Sequence, residues 1–174
     1  AVVLLLRRLD RKNVEVLMRE LEADVGYDEA EAAGMQSLTW EMLAEMQKGG
    51  FSVGSHTRRH AWLTHESTAT VLDELAGARR EIEQRLAVPV DHFAYPDGRF
   101  TTATARAAAG AGYRFGYTTC MHRDPRYPLL TLPRRMLWEN SCLDVRGRFS
   151  PAIMSCQLHG VFGLVRGCDQ DHTG

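Results

Sequence analysis

The sequence predicts an α/β protein with a parallel sheet. Three observations carry that expectation: stretches of helical period alternate with short apolar runs of strand character, glycine-containing links join them, and 174 residues suffice to bury one sizeable core. Apolar content of 44% and charged content of 25% are ordinary for a globular chain. A net charge of −1 gives no electrostatic reason to expect nucleic acid or an anionic membrane as partner. The apolar run Ala1–Leu6 is far too short to span a bilayer, and its flanks make it a poor signal peptide. Cys120, Cys142, Cys156 and Cys168 lie in the C-terminal third without a C-x-x-C pair. They read as thiols rather than a disulfide framework, which leaves the compartment open between cytoplasm and cell envelope.

Residues 1–9 fit either a buried strand or the start of a helix. Asp10 caps a helix over 11–24, with Val14, Leu17, Met18 and Leu21 at i, i+3, i+4 and i+7, and Gly26 ends it. The acidic, alanine-rich stretch 28–33 is a surface helix or loop. Thr39 caps the next helix, Glu41 sits in its first turn where the dipole favours a carboxylate, and Gly49-Gly50 stops it. Phe51–Ser55 alternates apolar and small residues as a strand does. A long helix follows over roughly 67–86, with Val71, Leu75, Ala78 and Ile82 on one face. Val88-Pro89 breaks it and 90–95 is the next strand. Pro96-Asp97-Gly98 makes a turn, Thr101 or Thr102 caps an alanine-rich helix, and 113–119 is a further strand. Beyond Met121 the pattern weakens. Arg134–Trp138 is a candidate short strand, 149–158 starts a final helix, and the last ten residues read as a frayed tail.

His56 and His60, four apart just past a strand's carboxyl end, are placed to converge on one ion, since open-sheet and barrel folds set their sites there. Two imidazoles do not complete a zinc site, which takes three protein ligands and an open position. Spacing alone also fits two surface histidines in a basic loop.

The surrounding residues are more specific. Ser55-His56-Thr57-Arg58-Arg59-His60, followed by Leu63, resembles the His-Ser/Thr-x-x-His motif of the polysaccharide deacetylases, the chitin and peptidoglycan deacetylase family of carbohydrate esterases. The Leu38-Thr39-Trp40 helix start, Gly49-Gly50, and Phe93-Ala94-Tyr95-Pro96-Asp97-Gly98 after the next helix resemble the same family in order. The resemblance covers 38–119 well and 120–174 loosely. It implies a distorted (β/α) barrel, incomplete in this chain. The domains would be a helical segment or insertion over 1–37, a partial barrel over 38–160 and a flexible tail over 161–174. It further implies a divalent metal, usually zinc, with His56 and His60 as ligands, and Tyr95 and Pro96 lining the sugar groove, the Tyr95 N–H aiding an oxyanion. The implied reaction is metal-dependent removal of an N-acetyl (less often O-acetyl) group from a glycan, with no transmembrane segment and an open oligomeric state. His159 is a weak candidate for the general acid, a capping or surface histidine being the stronger reading.

The chain departs from the family pattern at Thr-Phe-Asp-Asp-Gly, which supplies the base and third ligand; no Asp-Asp pair occurs in it. Either that signature lies upstream of Ala1, or Val2–Arg8 is its decayed form; the absent start Met favours the first. On either account this chain alone is expected to be nearly inactive, and a non-catalytic glycan-binding relative is the alternative. Ala94 stands where many members carry an arginine, a subgroup variation. Lost barrel strands would also leave a sheet edge prone to association.

Overall fold

The computed structural model describes residues 9–26, 37–135, 137–138, 140–161 and 172. The expectations for 1–8 and 28–33 fall outside them. The elements are α1 (Arg11–Val25), α2 (Trp40–Lys48), a 3-10 turn (Leu63–His65), α3 (Thr68–Leu72), a π turn (Asp73–Gly77), α4 (Ala78–Leu86), β1 (His92–Ala94), a 3-10 turn (Pro96–Gly98), α5 (Thr102–Gly110), β2 (Phe115–Thr118), β3 (Leu132–Pro133) and α6 (Pro151–Leu158).

The helices begin where local chemistry places them. Asp10 accepts from the Asn13 N–H, Thr39 from Met42, Ser67 from Thr70 and Ser150 from Ile153. Thr101 forms a full capping box with Thr104. Gly26 ends α1 in the left-handed conformation that glycine adopts without a Cβ penalty. The long helix expected over 67–86 is interrupted: one π turn separates α3 from α4.

The three strands run parallel in the order β1-β2-β3, with His92 opposite Phe115, Phe93 opposite Gly116, and Tyr117 opposite Leu132. The strand expected over 51–55 is reduced to one parallel bridge at Ser55, whose N–H donates to the His92 carbonyl and whose carbonyl accepts from Ala94. The strand expected at Arg134–Trp138 lies earlier, at Leu132–Pro133. The Arg134 N–H still continues the ladder to the Thr118 carbonyl, but its side chain turns back over the sheet.

Helix faces close the core. Val71 and Leu75 are buried against Val90, Phe93, Tyr95, Phe100, Ala108, Tyr113 and Leu130, and Ala78 on the same helical face is buried too. The Tyr113 hydroxyl donates a hydrogen bond to the Leu75 carbonyl inside the π turn, at 2.9 Å. Gly116 marks a close backbone approach: a Cβ there would overlap the backbone of Leu130. Among the last ten residues, His172 is the one described. His172 stacks on Phe100 at 4.2 Å and on His122 at 4.4 Å, and its carbonyl accepts from Thr102. No helix among the described residues is long and apolar enough to cross a membrane.

Candidate metal centre

The Ser55 bridge fixes where the histidines emerge. Ala94 gives its N–H to Ser55 and its carbonyl to the Nδ1 of His56, at 2.7 Å. A carbonyl only accepts, so Nδ1 carries the proton and Nε2 presents a lone pair. Metal-bound imidazoles are oriented by this type of backbone contact. The rings of His56 and His60 lie 4.8 Å apart, nearly perpendicular. A cavity lined by Leu9, Arg11, Val14, His60, Ala61 and Trp62 opens on the His60 side.

The loop between them is strained. Thr57 (φ 66°) and His60 (φ 58°) are both left-handed, at about 1–2 kcal/mol each for residues with a Cβ. Glu74, only 1% exposed, accepts the backbone N–H of Arg58 at 2.9 Å and of Arg59 at 3.0 Å on one oxygen. Hydrogen bonds to a charged acceptor contribute about 1.5–3 kcal/mol each, enough to offset both strained residues. Arg58 meanwhile reaches across Gly77 to Asp73 and Glu81. Sequence reasoning missed Glu74. Its place at i+3 from Val71 marks the buried face but not its partners in the loop.

Burial is the main cause that lowers the pKa of His56 below its ordinary value of 6.5. The bond to Ala94 pulls the other way, and the charges of His60 and Arg134 lower it further. The ring has an open face, so the shift comes from the atoms crowded around the remainder. Arg134 stands over the strand ends, its guanidinium donating to the Tyr95 carbonyl at 3.2 Å.

The other expected site residues lie elsewhere. Tyr95 has no exposed surface and packs edge-on against Phe93 at 4.7 Å; Pro96 is buried beside it. The Tyr95 N–H is given to the Tyr117 carbonyl at 3.0 Å. Neither Tyr95 nor Pro96 therefore lines an open groove here, because the strand's alternation turns Tyr95 to the same inner face as Phe93. The exposed member of that turn is Asp97, left-handed at φ 53°, whose carboxylate pairs with Arg99 at 3.0 Å. His159 stands at the C-cap of α6, its Nδ1 on the Ser155 carbonyl at 2.8 Å. Among the described residues no three His, Cys, Asp or Glu side chains cluster tightly enough to hold a metal. Imidazole is a common metal ligand, but two of them leave a zinc site incomplete.

Comparison with known proteins bears on the same segment. The family model for polysaccharide deacetylase matches residues 9–116. The chain belongs to the polysaccharide deacetylase family. YxkH of Bacillus subtilis (strain 168), named for the same family, is 32% identical over 82 residues, covering 47% of this chain and 29% of that protein. Among solved structures, the Streptococcus pyogenes deacetylase PplD in complex with acetate is 28% identical, with a TM-score of 0.54 over 60% of this chain and 46% of PplD. BA0330 from Bacillus anthracis, also 28% identical, gives 0.50 over 56% of this chain and 32% of its own. The chain thus spans less than half the length of these relatives. Its parallel α/β arrangement is that of the family's (β/α) barrel.

Proposed function

We propose that this chain carries the two-histidine part of a divalent-metal centre, in a protein that hydrolyses acetyl groups from an acetylated polysaccharide. The observation that carries the reading is the pair itself: two imidazoles 4.8 Å apart beyond a parallel strand's carboxyl end, one held by Ala94 with its Nε2 lone pair available. When bound, a zinc-like ion polarises an acetyl carbonyl and lowers the pKa of coordinated water to about 7. This chain's residues do the rest of what can be assigned. Ala94 orients the His56 ring, and the low pKa of His56 keeps the ring neutral and ligand-competent below the ordinary histidine range. Arg134 adds positive charge beside the pair, suited to an oxyanion or to acetate. The acetate in the PplD complex is the product such a reaction releases.

A second reading, a glycan-binding relative without catalysis, is favoured by one observation: no carboxylate joins the two histidines among the described residues. Elemental analysis separates them. His56→Ala in the complete protein removes the bound zinc if the centre is real. Zinc content equal to wild type overturns the assignment, and zinc without acetate release from an N-acetylated chitooligosaccharide favours the binding relative.

A further inference from the structure

Between the two histidines the chain makes turns that its own residues resist. Thr57 is β-branched and left-handed, a combination that persists only where surroundings impose it. What faces this loop is the π turn, one wide turn in an otherwise α-helical segment, and such turns often mark functional positions. It carries Glu74 under the loop and Gly77 beneath the stem of Arg58, where a Cβ would meet Cδ at 2.8 Å. A carboxylate with 1% exposure in an apolar face is costly unless it is used. Here one oxygen takes two successive backbone N–H groups, those of Arg58 and Arg59. These peptides lie between His56 and His60, so the bonds hold the backbone from which both rings extend.

We infer that Glu74 is a positioning residue for the two-histidine centre: its buried carboxylate holds the 57–59 backbone so that both imidazoles converge on one cation. The inference rests on the metal reading above. Glu74 reaches neither ring, and its effect passes through the loop. It differs from an ordinary helix glutamate because its partners lie in another segment of chain, 15 and 16 residues away.

The test uses the 174-residue chain and zinc alone, following the imidazole resonances of His56 and His60 by NMR with backbone amide exchange read in parallel. In Glu74→Gln, where an amide oxygen replaces the carboxylate, zinc affinity is expected to fall about tenfold. In Glu74→Ala it falls toward about 100-fold, the range seen when partners that orient metal ligands are removed. Amide exchange at Arg58 and Arg59 accelerates in both variants without metal. Leu75→Ala is the control, a neighbouring core truncation that costs stability and leaves the loop bonds in place. A merely structural glutamate predicts that zinc affinity follows the thermal midpoint across all three variants. A positioning glutamate predicts loss in the Glu74 variants and wild-type affinity in Leu75→Ala. Equal affinity in wild type and Glu74→Ala overturns this inference and leaves the metal reading standing. No zinc response from His56 or His60 in wild type overturns the metal reading and this inference with it.

Discussion

His56 donates its Nδ1 proton to the Ala94 carbonyl, packs against its surroundings, and faces the positive charges of His60 and Arg134. Burial dominates and holds its pKa below 6.5. The sign of the consequence follows. Between the depressed native value and 6.5, the unfolded chain binds a proton that the native ring does not. The contribution of His56 to stability is therefore fully present above 6.5 and is lost as pH falls through that window. An NMR titration of the His56 ring is expected to have its midpoint below 6.5, and Arg134→Met is expected to raise it. A midpoint at or above 6.5 in wild type would refute the packing seen here. Tyr95 supports a second expectation at this scale. Its hydroxyl is buried with no hydrogen-bond partner among the described residues, and the fold raises its pKa. Tyr95→Phe removes an unpaired polar atom, so stability should hold or rise by about 1 kcal/mol in urea unfolding. A loss of comparable size would show that the hydroxyl has a partner.

Helix starts were legible at Asp10 and Thr39, and to within a residue at Thr101, because an N-cap is a local device that satisfies donors within three residues of itself. Strand extents were less legible, since pairing depends on chain far away. Phe51–Ser55 alternates correctly yet reaches β1 at Ser55 alone, and β3 is set by Thr118 rather than by Arg134–Trp138. The histidine pair was visible from spacing and neighbouring residues. Glu74 was not, because a helical period says which face a glutamate lies on and nothing about the loop above it. Gly116 shows how pairing dictates sequence in turn. A Cβ on it would sit inside the Leu130 backbone, with Leu130 C at 2.9 Å, and backbone cannot rotate away as a side chain can. Gly116→Ala should therefore force β2 from the 129–132 segment. The expected cost is about 3 kcal/mol, the upper end for overpacking, or a fall of roughly 6–12 °C in thermal midpoint for a chain this size. A midpoint within about 2 °C of wild type would contradict the close approach.

Across the whole molecule, the share of a coordination sphere that the two histidines supply sets how tightly the chain should hold zinc. A structural site with four ligands binds with about 10–16 kcal/mol. Two imidazoles, if they contribute in proportion, give roughly 5–8 kcal/mol, equivalent to a Kd from about 0.2 mM down to about 1 µM. The lowered pKa of His56 helps at neutral pH by removing proton competition, while the open face of the site leaves the remaining positions to water. Calorimetric titration of the chain with zinc should therefore give a micromolar or weaker Kd, abolished by His56→Ala. It should weaken as pH falls through the depressed value of His56, where a proton competes with the metal for the ring nitrogen. Affinity tighter than about 0.1 µM would require a third donor. The exposed carboxylate of Asp97, at the carboxyl end of the neighbouring strand, is the first to examine, and Asp97→Asn would then weaken binding while leaving the His56 response in place. If Asp97→Asn left such tight binding unchanged, the third donor would have to come from residues beyond this loop.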